Sequence, residues 1–365
     1  MPKQLNITAD ANIWGVEDAF SCLSGIKTSL NTLVLSEINP HQLQYTDVLL
    51  TRSGILINET LLHGSPIRFV GTATIGDDHV DKLYLQSQAI TFASAAGSST
   101  QSVVEYMLAT FFTLENMGKL SFSKDKLGII GVGRIGSLLD KACTKLGLQT
   151  LLNDPPRGLN TSLDDVLDNA DILTLHTPLT HDGKHATHHL LDAEKLSRFK
   201  GKGIINAGRG ACIDNQALLD WLNQDDGHFA VLDCWEDEPN INLDLLNHAQ
   251  VLIATPHIAG HSLDGKAANT YFVYKDLCDF LQVSPSWDMQ AALPNIELGL
   301  LHSKMNKSEL TLSMYPISDD SQAMKHAAAH GDFKAWFSTY RKNYPVRRSW
   351  DKILERHGYV KDMFF

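Results

Sequence analysis

The chain has 365 residues, 43% hydrophobic and 20% charged, the balance of a folded globular protein with two domains and room for a small third. Its formal net charge of −11 makes it a poor general nucleic-acid binder, because neutralising phosphates takes a basic footprint. No apolar run reaches membrane-spanning length and the start, Met1-Pro-Lys-Gln-Leu-Asn, has no signal-peptide core, so the expectation is a cytoplasmic protein with no membrane partner.

Along the chain, short β-branched or leucine-rich runs alternate with helical patterns. Strands are expected at 6–8, 32–35, 48–51, 68–71, 127–130, 150–153, 172–176, 203–206, 230–233 and 251–254, and helices at 100–117, 134–146, 215–222 and 265–281. This rhythm predicts an α/β fold of two doubly wound parallel-sheet lobes. The first lobe is expected to span 1–95 with about 265–284 added back, and the second 96–264. From 285 to 365 the rhythm stops, and a small C-terminal α+β domain is expected. Its tail is basic: from 321 onward nine Lys/Arg stand against four Asp/Glu. Cys22, Cys143, Cys212, Cys234 and Cys278 are scattered and odd in number, which argues for buried reduced thiols.

The run from Leu127 to Gly136 is a strand, a glycine turn and a helix start, the context that a GxGxxG motif needs to carry weight. Gly131 suits the tight turn, Gly133 the approach of a pyrophosphate, and Gly136 the close packing of helix on strand. Amides near Arg134 and Ile135 would donate to the phosphates. Asp154 ends the next strand, 18 residues past Gly136, where a carboxylate accepts from ribose hydroxyls and repels a 2′-phosphate; this favours NAD over NADP. Arg157 is the one neighbour that argues the other way.

Three further strand ends carry Arg209 between glycines, Asp233 with Glu238 before Pro239, and His257 after Thr255-Pro256. Arginine holds a carboxylate with two parallel bonds, and a histidine beside a carboxylate is an oriented general base. Read in order, GVGRIG, HTPLT, NAGRG, DNQAL, WEDEP and TPHIAGHS resemble the D-2-hydroxyacid dehydrogenases, and the similarity runs the length of the chain. The stretch Val70-Gly-Thr-Ala-Thr74-Ile-Gly76, Asp154-Pro-Pro, residues 209–215 and the C-terminal extension mark a subgroup. The resemblance implies Arg209, Glu238 and His257 as the catalytic set, Ser53 and Thr74 at substrate, and Asp154, Thr177, Asp233 and Gly260 at NAD. It also implies that the two lobes are a flavodoxin-like substrate lobe and a Rossmann NAD lobe, with a small phosphorylated sugar-acid substrate and a homodimer built by the C-terminal domain. Acting on another 2-hydroxy acid, or sensing NAD without catalysis, are the rival readings.

His261 stands where the subgroup has tyrosine, the stretch Ala95-Ala96-Gly97-Ser98-Ser99-Thr100 stands for its Ala-Pro-Gly-Cys-Asn-Ala, and Gly54-Ile55 follow Ser53; all these positions are expected to line the cleft. A substrate phosphate calls for a second arginine, because Arg209 serves only the carboxylate. Arg52, at a strand end beside Ser53, is the first candidate, and Arg347 or Arg348 from a partner subunit the second. Apolar residues Leu298, Leu300, Leu301, Leu310, Leu312 and Met314, with Trp336, Phe337 and Tyr340, argue that the C-terminal domain buries a face in a dimer. His181, His185, His188 and His189 read as solvated loop histidines and no metal site is expected; Tyr106, Phe111 and Phe112 read as core.

Overall fold

The structure, a computed structural model, describes residues 4–21, 23–159, 161–295, 305–344, 347–356 and 363–364. It divides into two units, Met1–Ser99 with Ser262–Ile296, and Thr100–His261 with Glu297–Phe365.

The first unit is a five-stranded parallel sheet of β1 (Leu5–Asp10), β2 (Thr28–Leu33), β3 (Val48–Thr51), β4 (Phe69–Thr72) and β5 (Thr91–Ser94), in the order β2-β1-β3-β4-β5. Alternate strand residues serve opposite faces. Leu5, Ile7, Val48, Leu50 and Phe69 pack under the helix Leu263–Leu281 through Val273, Tyr274 and Leu277. Leu49 and Val70 face the other way, onto Ile38, Leu43, Leu61 and Leu62. The strand order reverses between β1 and β3, the point where such sheets open a crevice at their carboxyl ends. Asp10 and Arg52 stand at those two ends, joined by a 2.7 Å ion pair.

The second unit is a six-stranded parallel sheet: β6 (Lys126–Ile130), β7 (Gln149–Asn153), β8 (Ile172–Leu175), β9 (Gly203–Asn206), β10 (Phe229–Leu232) and β11 (Val251–Ala254), ordered β11-β10-β9-β8-β6-β7. One face packs Leu127, Ile129, Ile205 and Val231 on the helices Thr100–Asn116 and Arg134–Leu146. The other packs Leu173, Ile204 and Leu232 on Val166, Leu218 and Trp221.

The C-terminal segment departs from the expected α+β domain. Its described residues form five helices: Met289–Ala292, which belongs to the first unit, and Lys307–Met314, Ile317–His330, Phe333–Lys342 and Trp350–Arg356, which belong to the second. The cause is the open edge of β11, whose free backbone groups need partners. Ser321 Oγ accepts from the Ala254 amide at 3.0 Å and Lys325 Nζ donates to the Val251 carbonyl at 2.5 Å. The apolar residues expected to face a partner are largely spent within the chain: Leu310, Met314 and Phe337 are buried and Leu312 and Trp336 partly so. Leu298, Leu300 and Leu301 lie outside the described residues, as does Cys22. The remaining four cysteines are buried free thiols. Among the described residues, no helix is long and apolar enough to cross a membrane.

Candidate active site

The glycine turn lies at the reversal between β6 and β8. Gly131 turns with φ 89°, and a Cβ on Gly136 would sit 2.2 Å from the Gly131 carbonyl oxygen, so only glycine lets this helix start so close to its strand. The helix Arg134–Leu146 has no side-chain cap at Gly133 and no acidic residue in its first turn. Its first amides, at exposed Arg134 and half-buried Ile135, therefore keep their affinity for an anion. Beside the turn is a cavity of about 410 Å³ lined by Gly131, Gly133, Asp154, Pro155, Thr177, Lys184 and His185, among others. Asp154 Oδ2 accepts from the Val132 amide at 2.8 Å, which anchors the carboxylate to the glycine turn. Arg157 Nη1 donates to the Val132 carbonyl at 2.8 Å, so that guanidinium is drawn into the turn as well. His176, also lining the cavity, is pushed down to about 4 by burial and stays neutral.

Beyond β9, β10 and β11 three loops meet. His257 follows β11 with φ 55°, a left-handed conformation uncommon outside glycine. Asp233 holds it there. The Asp233 carbonyl accepts from the His257 amide at 2.7 Å, and its carboxylate accepts from Thr255 Oγ1 and the Ile258 amide at 2.7 Å each and from the Ala259 amide at 3.0 Å. Burial raises the Asp233 carboxyl, with His257 and these bonds pulling the other way. Asp233 is 1% exposed. It is thus the brace of the His257 loop, with two donors on Oδ1 and, on Oδ2, the Ala259 amide and more distantly the Cys234 thiol at 4.0 Å.

His257 Nδ1 and Glu238 Oε2 are 2.8 Å apart, and Glu238 Oε1 accepts from the Trp235 amide at 2.7 Å. Burial would raise the Glu238 carboxyl, but His257 first and then the Trp235 amide and Arg341 outweigh it and hold it below its ordinary value. With Nδ1 taken by an anion, Nε2 is the imidazole atom offered to a substrate. Arg209 opens the neighbouring loop, its Nη1 donating to the Gly208 carbonyl at 2.9 Å. At Gly210 a Cβ would lie 1.8 Å from the Trp235 carbonyl oxygen, so this glycine lets the Arg209 loop run directly against the Glu238 loop. The buried thiol of Cys234 sits within the cluster, its Sγ 3.3 Å from the Gly208 carbonyl.

These strand-end loops occur in a chain whose residues 98–259 match the pattern described as D-isomer specific 2-hydroxyacid dehydrogenase, NAD binding domain. Residues 24–131 match the catalytic-domain pattern of the same family. The chain belongs to the D-isomer specific 2-hydroxyacid dehydrogenases. As a member of that family it is an NAD-dependent oxidoreductase. It is 42% identical over 328 residues to the erythronate-4-phosphate dehydrogenase of Hydrogenovibrio crunogenus, covering 86% of this chain and 85% of that one. To the enzyme of the same name from Escherichia coli O139:H28 it is 38% identical over 362 residues, 96% of this chain and 93% of the other. In fold it is similar to a D-lactate dehydrogenase from Aquifex aeolicus complexed with NAD and lactic acid (TM-score 0.61, 22% identity, 76% of this chain and 95% of that). It is also similar to an NAD-bound 3-phosphoglycerate dehydrogenase from Entamoeba histolytica (TM-score 0.64, 17% identity, 76% and 96%).

The other expected site residues of this dehydrogenase are placed as follows. Thr177 lines the cavity and donates to Cys212 Sγ at 3.4 Å. Gly260 is half-buried in the turn after Ala259. His261 packs edge-on against Tyr344 of the C-terminal segment, ring centroids 6.0 Å apart. In the first unit Ser53 is exposed just after β3, and Thr74 Oγ1 donates to the Gly76 carbonyl at 2.9 Å. Ser98 Oγ bonds both the Ala95 carbonyl and Asn269 Oδ1. Arg52 is a third exposed, and its Nε–Asp10 bond uses one edge of the guanidinium only. Arg347 does not suit the phosphate role proposed for it. Its side chain is 6% exposed and paired with Glu105 at 3.2 Å. Arg348 is half-buried.

One reading of the sequence needs correction. His189 is not a solvated histidine: Nε2 is 2.5 Å from Glu236 Oε1 and Nδ1 3.8 Å from Asp214, with His188 stacked on it at 4.1 Å. Glu236 is 47 residues away, so local spacing gave no sign of it. Tyr106 is core in its ring, like Phe111 and Phe112, but its hydroxyl lies 2.8 Å from Thr255 Oγ1. Because Thr255 spends its hydrogen on Asp233, Tyr106 is the donor, and the helix Thr100–Asn116 thereby supports the His257 loop.

Proposed function

We propose that this dehydrogenase oxidises 4-phospho-D-erythronate to (R)-3-hydroxy-2-oxo-4-phosphooxybutanoate with NAD, within pyridoxal phosphate (vitamin B6) biosynthesis. The observation that carries the reaction class is the 2.8 Å His257–Glu238 pair beside the Arg209 loop. The substrate follows from the relatives of that name at 38% and 42% identity over most of the chain.

Arg209 grips the C1 carboxylate and polarises the C2 oxygen. His257 Nε2 takes the proton of the C2 hydroxyl as the carbonyl forms. Glu238 fixes the ring and stabilises its cationic form. NAD, when bound, supplies the acceptor for the C2 hydride. The glycine turn, the uncapped helix start, Asp154 and Thr177 hold it, and the loop braced by Asp233 and ending at Gly260 flanks its reactive end. Ser53, Thr74 and His261 are assigned to the substrate, and Arg52 to its phosphate. The NADP alternative is disfavoured by Asp154, and its anchorage on Val132 supports that reading.

NADH formation with 4-phosphoerythronate, compared with glycerate, lactate and 3-phosphoglycerate, tests the proposal. Turnover is expected to favour 4-phosphoerythronate and NAD; equal use of NADP, or a preference for another acid, overturns it. In the same assay Arg52→Ala should raise KM for the phosphorylated substrate more than for lactate, by about 10- to 100-fold for one lost charge-assisted bond. An equal effect on both removes Arg52 from the phosphate.

Two further parts of the reading are a cytoplasmic location, consistent with four buried free thiols, and a homodimer. The homodimer rests on the family resemblance, since Leu310, Met314 and Phe337, among the apolar residues first offered for it, are buried within the chain. Light scattering at micromolar concentration should give twice the chain mass of 40.4 kDa, and a monomer refutes it.

A further inference from the structure

We propose that Arg347 is a positioning residue for the reaction, holding the His257 loop from the C-terminal segment. This rests on the reading of His257 as the base.

The side chain bridges three elements. Nη1 donates to Glu105 Oε2 at 3.2 Å on the helix Thr100–Asn116. Nη2 donates to the Ala259 carbonyl at 3.1 Å and, more weakly, to the Ser102 carbonyl at 3.4 Å. The guanidinium lies 4.3 Å from the centre of the Tyr315 ring.

Ala259 is thus held at both ends. Its amide donates to Asp233 and its carbonyl accepts from Arg347. Between them these bonds pin the turn just after His257, whose left-handed backbone needs outside support. Docking of the segment does not require the Ala259 bond. The Trp350 amide already donates to Glu105 Oε1 at 2.8 Å, and Trp350, Ile353 and Leu354 are buried in the core.

The residue type fits the task. Glu105 is fully buried, and burial pushes its carboxyl up to about 7 against the pull of Arg347. A cation must stay near it, yet a planar fork is needed to reach a carboxylate and a carbonyl together. A lysine ammonium serves the first purpose and not the second. The basic tail is therefore, at this position, an internal part of the active-site frame.

The test compares full-length wild type, Arg347→Lys, Arg347→Met and the double variant Glu105→Gln/Arg347→Met. The double variant leaves no lone buried charge, so its melting temperature should recover toward wild type relative to Arg347→Met. Its kcat should nevertheless remain about 10-fold low, with KM little changed, because a slackened loop misplaces the base. Arg347→Lys should show the same split. Hydrogen exchange of the peptide spanning residues 255–261 should be faster in all three variants. A double variant within about twofold of wild-type kcat, with wild-type exchange in that peptide, overturns the proposal and leaves Arg347 a docking residue. If wild type fails to oxidise 4-phosphoerythronate, the functional reading fails, and the exchange measurement still decides the clamp: unchanged exchange refutes it.

Discussion

Replacing His257 with alanine is expected to lower kcat at least about 100-fold, the lower end for a positioned acid–base group. The geometry leaves little room for a substitute. Glu238 is engaged at both oxygens, by His257 Nδ1 and by the Trp235 amide, and is committed to orientation. Cys234 is buried, and burial first, then Asp233 and Glu238, drives its thiol far up, so it does not supply a base. Glu238→Gln makes the companion measurement. Glutamine keeps a polar contact with the ring but not the charge, so the protonated imidazole loses its anionic partner. The rate should fall and the acid limb of the kcat/KM profile should move to lower pH. Near-normal activity in His257→Ala removes the histidine from the mechanism; an unmoved acid limb in Glu238→Gln removes the charge effect and leaves only orientation.

Gly210→Ala is expected to lower kcat/KM about 100-fold although it touches no ionisable group. The new methyl would meet the Trp235 carbonyl oxygen at 1.8 Å, its carbon at 1.9 Å and the Glu236 nitrogen at 2.5 Å. All three are backbone atoms, so no rotamer change relieves the overlap, and the two loops must part. Arg209 precedes the glycine, and Glu238 hangs from the Trp235 amide. Parting the loops therefore pulls the carboxylate anchor and the base's orienting group away from each other. Overpacking of this kind costs about 1–3 kcal/mol of stability as well. Kinetics with thermal melting checks both effects. A variant that melts earlier but keeps wild-type kcat/KM shows that the two loops need not touch for catalysis.

The sequence by itself determined the elements whose signals are local. The strands Val48–Thr51, Gly203–Asn206 and Val251–Ala254 and the helices Arg134–Leu146 and Asn215–Leu222 lie where apolar runs, helical patterns and a glycine turn put them. Among the described residues the strand missed is Thr91–Ser94, a four-residue edge strand with a single large apolar side chain, too short and mixed to stand out from a loop, and β2 lies at Thr28–Leu33, ahead of the expected 32–35. Arg209, Glu238 and His257 were legible because each follows a recognisable strand, and strand ends in a parallel sheet face one side. What the tertiary structure alone decided are the pairings across the chain. Tyr106 meets Thr255 over 149 residues, Arg347 meets Glu105 over 242, Arg52 meets Asp10 over 42 and His189 meets Glu236 over 47. No periodicity or spacing encodes such contacts. They exist because buried polar groups must find partners wherever the packed helices and strands deliver them. The same need set the C-terminal helix Ile317–His330 against the edge of β11 and buried Arg347 between Glu105 and the Ala259 carbonyl.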